Sequence, residues 1–143
     1  MPFNYVNGTM VILVDDSTGT ARNLGTAIDT CSPVGKDFDE LEVTTFADTA
    51  ERFIAGIEKS RLVTLGGPFN STVGVLIPDN LYSTLLGTIQ TVEFAPAGTA
   101  SGKRKITGEF LAKSYNVITV NKVPVRWEAV HRLDGTINNT GTY

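Results

Sequence analysis

Apolar and polar positions alternate along much of the chain, most cleanly in KVPVRWEAVHRLDG, residues 122–135. Val123, Val125, Trp127, Ala129, His131 and Leu133 fall on one side. Lys122, Pro124, Arg126, Glu128, Arg132 and Asp134 fall on the other, with Val130 the one exception. A period of two predicts a half-buried strand, with Trp127 as its core anchor. TMVILVDD (9–16) predicts a first strand ending in the acidic turn DDSTGT, and ELEVTTF (40–46) predicts another. RLVTLGGPF (61–69) and TVGVLI (72–77) predict two more, separated by a Gly-Gly-Pro corner. ARNLGTAIDTCS (21–32) reads as one short strand after an irregular turn.

Two segments lack this alternation. FADTAERFIAGIEKSR, residues 46–61, breaks strand periodicity and carries Gly56, so it reads as a long, extended inter-strand loop. PDNLYSTLLGT (78–88) is the helix candidate: Pro78 precedes an Asp79–Asn80 cap pair, Leu81, Leu85 and Leu86 share a face, and Gly87 ends it. So short a helix must lean on a sheet to persist. The polar tail, residues 135–143, is expected to be loose. The pattern predicts a mostly β chain of seven or eight strands, a two-sheet sandwich or partly closed barrel with one short flanking α-helix.

Composition agrees. Nineteen threonines and fourteen valines suit a pleated surface, and fourteen glycines and six prolines supply the turns. At 143 residues one domain, 1–143, is expected, with no internal repeat. No apolar run approaches the ~18 residues of a membrane span, and the start of the sequence lacks the basic and apolar regions of a signal peptide. A single cysteine, Cys31, fits a reducing compartment and reads as a small buried residue. Cytoplasmic synthesis is therefore expected. The formal net charge of −3 argues against a general nucleic-acid binder.

APAGTASGKRKITGEF, residues 95–110, spells part of a phosphate-binding loop, with Ala97 in place of the leading glycine. Two features argue against that reading. Arg104 stands where the metal-ligating hydroxyl belongs. The residues after Lys103 also alternate as a strand, whereas a phosphate loop must open a helix to present free N–H groups to the anion. The segment predicts a strand–loop–strand hairpin with a basic shoulder at Lys103, Arg104 and Lys105.

No catalytic constellation emerges. His131 is the only histidine, so a multi-histidine metal site is excluded, and its apolar register makes it a core or interface residue. Asp15/Asp16 and Asp37/Asp39/Glu40/Glu42 are plausible carboxylate groups. The first lacks the spacing of a calcium loop, and the second lies on a strand whose alternate residues face apart. No enzymatic activity, cofactor or metal is expected.

Four segments in order cover about two thirds of the chain and carry a resemblance: LEVTTFADTAERFIAGI (41–57), VTLGGPF (63–69), TVEFAPAGTASGKRKITGEFLAKSY (91–115) and the alternating final strand. Together they resemble the major tail tube proteins of long-tailed bacteriophages with non-contractile tails. The family spells the first segment Val-Thr-Thr-Phe-Gly-Asp and Arg-Phe-Ile-Pro-Gly, so Ala47 and Ala55 are departures in one loop. The resemblance implies a structural virion protein whose hexameric rings stack into a tube. Its lumen would pass the tape-measure protein and then phage DNA without sequence-specific binding. Further implied partners are tail terminator and tail-tip proteins. The implied location is the virion tail, with the host cytoplasm as the place of assembly.

Within that frame, Phe46 and Phe53 are expected as apolar anchors for the next ring, with Asp48, Glu51 and Arg52 setting register. Lys103, Arg104 and Lys105 are expected to meet an acidic face of an adjacent subunit. Glu40, Glu42, Glu93 and Glu109 are channel-lining candidates, since a bore that binds phosphates would hold DNA back. Two other classes stay open: another tail or connector component, such as a tail terminator or a secretion-tube homologue, and a ligand-binding β-domain.

Overall fold

Ten strands and one helix are seen in a computed structural model that describes residues 10–25, 27–70 and 77–143. The expected strand TVGVLI lies outside the described residues, apart from Ile77. The strands are β1 Val11–Asp15, β2 Ala21–Asn23, β3 Thr30–Cys31, β4 Phe38–Glu42, β5 Phe53–Glu58, β6 Leu62–Pro68, β7 Ile89–Ala95, β8 Arg104–Ile118, β9 Arg126–Leu133 and β10 Asn138–Thr142. The helix α1 spans Pro78–Leu85 between β6 and β7.

Strands pair antiparallel in the order β2-β1-β7-β8-β9-β6-β3, and β10 adds to β8. A second, two-stranded sheet is the β4–β5 hairpin. One apolar cluster joins Ile12 and Val14 of β1 to Val92 and Phe94 of β7, Phe110 of β8, Trp127, Ala129 and Leu133 of β9, and Val63 and Leu65 of β6. A single cluster can reach from β1 to β6 only if the main sheet curls over itself. Among the described residues β2 and β3 are its two unpaired edges, so the curl does not close.

β8 organises this sheet. Its first half pairs with β7 through Ile106↔Phe94 to Leu111↔Ile89, and its second half pairs with β9 through Phe110↔Leu133 to Ile118↔Arg126. A β-bulge between Ala112 and Ser114 shifts the alternation by one. Before it, Phe110 and Ala112 face the core; after it, Tyr115 and Val117 lie opposite Ala129 and Trp127. A bulge re-aims side chains in this way, and here it turns Tyr115 towards the helix.

The helix begins one residue earlier than the expected cap pair. Ile77 is the extended N-cap with no side-chain cap, and Pro78 is the first helical residue, where its missing N–H costs nothing. Asp79 therefore lies in the first turn, favoured by the helix dipole. Leu81, Tyr82 and Leu85 are buried, but Leu86, expected on the same face, has left the helix and is 44% exposed. Gly87 takes φ +79°, which a residue with a Cβ rarely adopts, and its N–H donates to the Ala112 carbonyl at 2.9 Å beside the bulge.

Tyr82 is the core residue that the leucine pattern did not reveal. It stacks on Tyr115 with ring centroids 5.2 Å apart and lies 6.1 Å from Trp127. Its hydroxyl is 2.5 Å from His131 Nε2. Trp127 is 1% exposed, as its register predicts. Trp127 Nε1 and His131 Nδ1 are buried without a hydrogen-bond partner among the described residues.

Several sequence expectations are corrected. The 46–61 segment is not one loop: residues 53–58 form β5, and the connection from β4 shrinks to residues 43–52. The tail at 135–143 is not loose, because Asn138–Thr142 pairs with β8. Val123 and Val125 precede β9 and are exposed rather than inward. The 40–46 strand starts and ends earlier, at Phe38 and Glu42. The Gly-Gly-Pro corner is part of β6, where a Cβ on Gly67 would collide with the Ala27 carbonyl.

This core sets two stability tests. Trp127→Ala should cost about 3–5 kcal/mol, read as a lowered urea midpoint with an unchanged m-value. The second concerns His131, whose burial pushes its imidazole pKa down to about 4. The unfolded chain then binds the proton more readily than the folded one. The histidine's contribution is full above pH ~6.5 and falls as pH drops towards 4, by about 3 kcal/mol in all. Urea titrations across this window should show that slope, and His131→Phe should lack it.

Candidate assembly surfaces

The β4–β5 hairpin is apolar and exposed on both faces. Its register sets Leu41 opposite Ile54 on one face, and Glu40 opposite Ala55 and Glu42 opposite Phe53 on the other. Phe38, Leu41, Phe53 and Ile54 are each about half exposed, and Ile57 is 81% exposed. Ser60 donates to the Leu133 carbonyl and Leu133 N–H donates to the Arg61 carbonyl, both at 2.8 Å, so the root of the hairpin is tied to the end of β9. Arg61 also pairs with Asp37 at this root.

At the tip, Asp48 accepts from Thr45 N–H at 2.7 Å and pairs with Arg52 at 3.4 Å. The Thr45 N–H bond holds its carboxyl below the usual carboxylate range. Asp48 and Arg52, expected to set register with another subunit, thus shape their own loop. Phe46 stands fully exposed beside them, and Glu51 is exposed without an ion pair among the described residues.

The four channel-lining candidates separate into two pairs. Glu40 and Glu42 lie on the hairpin. Glu93 and Glu109 share the outer face of the main sheet, opposite the core face carrying Val92, Phe94 and Phe110. Strand register adds a residue that the sequence did not single out. Asp15 follows Val14, which lies opposite Val92, so Asp15, Thr91 and Glu109 form one row across β1, β7 and β8. Thr91 Oγ1 donates to Glu109 at 2.6 Å. Burial, then the charges of Glu109, Glu93 and Asp16, push the Asp15 pKa up. Its alternation with Val11 and Leu13 was the available clue, but the DDSTGT turn hid it. Asp16 does belong to that turn, accepting from Thr18 and pairing with Arg22 at 2.8 Å.

The basic shoulder is mostly engaged within its own chain. Arg104 donates from Nε and Nη2 to the Asn139 carbonyl at 3.0 and 2.7 Å. Lys105 lies 3.9 Å from Glu93 and 4.9 Å from the centre of the Tyr143 ring. Tyr143 in turn donates to Glu93 at 3.1 Å. Only Lys103 lacks a side-chain partner among the described residues. Backbone pairing across the loop is also internal: Gly102 N–H donates to the Tyr143 carbonyl, and Lys103 N–H to that of Ala100. A strand rather than a helix follows, so no phosphate cradle forms.

Next to this loop the open seam of the sheet leaves a cleft of about 830 Å³, lined by Met10, Ile12, Ile28, Cys31, Phe94 and Ile106 among others, with Pro96 at the start of the basic loop. Cys31 is partly buried there, and desolvation pushes its thiol up to about 11, the opposite of an activated nucleophile. Among the described residues no three His, Cys, Asp or Glu side chains converge as a metal site would require.

No family profile and no curated sequence matches the chain. Its fold is nevertheless that of solved assemblies. A chain from the tail of an empty gene transfer agent (GTA) particle, of C6 symmetry, superposes with a TM-score of 0.70 at 12% identity, covering 94% of this chain and 98% of that one. A chain of the anti-feeding prophage (AFP) baseplate gives 0.72 at 8% identity over 96% of both chains. The SPP1 tail tube gives 0.66 at 12% identity, over 96% of this chain and 80% of that one. Identities this low show a shared fold.

Proposed function

We propose that the chain is the structural subunit of a tail tube, forming hexameric rings that stack around a channel. The observation that carries this reading is the near end-to-end superposition on the C6-symmetric tail chain. The exposed β4–β5 hairpin supports it independently, because an apolar, two-faced edge hairpin is a liability on a lone subunit and a contact in an assembly. The purified chain should polymerise into hollow rods with a regular ring repeat and sixfold end views in electron micrographs. Particles that stay monomeric at all concentrations and salts would overturn this.

A second reading is a connector or baseplate component of the same fold, favoured by the likeness to the AFP baseplate chain. It predicts isolated rings instead of rods in the same micrographs. The finer part of the proposal is a non-contractile phage tail. There the lumen holds the tape-measure protein and then DNA, the ends meet terminator and tail-tip proteins, and no catalysis is involved. Assembly in the host cytoplasm and residence in the virion tail complete this reading.

The hairpin serves contact between subunits, with Phe46 and Phe53 as anchors and Glu51 as a charged neighbour; Asp48 and Arg52 hold the tip in shape. Phe46→Asp should leave the urea midpoint of the unassembled subunit unchanged within roughly 0.5 kcal/mol, as for surface substitutions, yet abolish rods. Rods of normal length from this variant would remove the anchor role.

Asp15, Glu93 and Glu109 on the outer face of β1, β7 and β8 supply the acidic channel wall. Glu93 also holds Lys105 and Tyr143, so Asp15 and Glu109 are the cleaner residues to change. In Asp15→Lys/Glu109→Lys, tubes should still assemble while DNA ejection slows and becomes salt-dependent, because weak phosphate contacts sum over every subunit. Unchanged ejection kinetics would place this face outside the channel.

A further inference from the structure

The net charge of the chain has one address. Residues 36–61 carry seven acidic and four basic side chains, while the rest of the chain carries eight of each, so the whole formal charge of −3 belongs to the hairpin and its root. All four hairpin bases are paired within it: Lys36 with Glu58, Lys59 with Asp39, Arg61 with Asp37, and Arg52 with Asp48. Three carboxylates remain without an ion pair among the described residues, Glu40, Glu42 and Glu51. Two of them, Glu40 and Glu42, share their face with Phe53. The hairpin therefore offers apolar rings flanked by unneutralised acids.

A second apolar surface is the seam cleft. It is lined mainly by apolar side chains, with Thr30, Ser32 and the Arg126-paired Asp29 among them. Between its lining residues Pro96 and Ile106 the chain carries Lys103, without an ion pair among the described residues, and Arg104, bound to a carbonyl. Its volume of about 830 Å³ falls in the ~300–1,000 Å³ range of pockets that bury most of a drug-sized molecule, so it has room for aromatic side chains. Among the described residues, no other element covers the hairpin or the cleft.

We infer that the β4–β5 hairpin of one copy docks in the seam cleft of another, with Phe46 and Phe53 against Ile12, Ile28, Phe94 and Ile106, and with Glu40, Glu42 and Glu51 facing Lys103 and Arg104. Hairpin and cleft are different surfaces, so the contact is heterologous and leaves each copy with one of each still to fill. Such a contact closes into a ring or continues along a filament. This deepens the tube reading and rests on it, supplying the receptor for a hairpin whose function was otherwise only half defined. Opposite charges at the rim fix which way the hairpin enters, and like charges elsewhere disfavour wrong seats.

The lone Cys31 in the cleft wall provides the test. In Phe46→Cys, mild oxidation of assembled protein should link the introduced thiol of one copy to Cys31 of the next. Denaturing gels should then show a ladder of dimers, trimers and higher species. With Cys31→Ser added, the ladder should collapse to dimers at most, because only links between two introduced thiols remain. Ala47→Cys keeps the Phe46 ring and should give the same ladder, so loss of the anchor does not obscure the result. An internally crosslinked monomer would mean that the hairpin folds over its own cleft, and would overturn the inference. Rods without a ladder from both cysteine variants would overturn it while leaving the tube reading intact; wild-type protein that forms neither rods nor rings would overturn both.

A charge exchange reads the rim separately. Glu42→Lys/Glu51→Lys should lower the yield of rods at least tenfold at low salt, and adding Lys103→Glu should restore most of it. Equal yields from the wild type and both variants would overturn the charged part of the contact.

Discussion

The bulge in β8 is the constraint on which the other parts of the fold depend. Without it, a strand of fifteen residues would keep one face inward throughout, and the core would follow a single register from Ile106 to Ile118. The extra residue between Ala112 and Ser114 lets the first half present Phe110 and Ala112 while the second half presents Tyr115. Tyr115 is then available to stack on Tyr82, and Tyr82 to reach His131. The helix, too short to persist alone, is held by this aromatic and hydrogen-bonded contact and by Gly87 N–H on the Ala112 carbonyl. Burial of His131 without a charged neighbour in contact follows, and with it the depressed imidazole pKa.

The same strand also organises the charged surfaces. Its first half, with β1 and β7, carries the outward acids; its edge receives β10, and Tyr143 just beyond that strand closes over Lys105 and Glu93. The C-terminal residues and Glu93 thus engage Arg104 and Lys105 within the subunit, while Lys103 has no side-chain partner among the described residues. On the opposite side of the sheet order, the hairpin root leads into β6, and there Ser60, Arg61 and Asp37 anchor a hairpin that contributes no residue to the core. The main sheet carries the apolar core, whereas the hairpin strands pair only with each other.

Charge follows the same division. The body is neutral in formal charge and pairs Arg126 with Asp29 and Arg22 with Asp16, whereas the hairpin holds the entire excess. An exposed ion pair contributes little to stability, so these pairs matter less for holding the fold than for deciding which charges remain to meet another molecule. On the hairpin that remainder is three carboxylates, Glu40, Glu42 and Glu51, which have no ion pair among the described residues.

The sequence by itself determined the elements whose one face is buried. The alternation from Trp127 to Leu133 states that β9 is half-buried, and the leucines with Gly87 mark the helix and its end. It could not show β5, because FIAGIE is exposed on both faces and so has no reason to alternate. Nor could it show β10, whose small polar residues pair through backbone groups alone. Glu93 and Glu109 were legible as polar positions on strands, yet their neighbour Asp15 was not, since adjacency across strands depends on register and not on sequence distance. The basic run KRK read as one patch, but only tertiary structure decided that Arg104 and Lys105 engage Asn139, Glu93 and Tyr143 while Lys103 has no side-chain partner among the described residues. Patterning reports how a segment meets water; which segments meet each other is fixed by the long-range pairing of strands, and that is written in geometry.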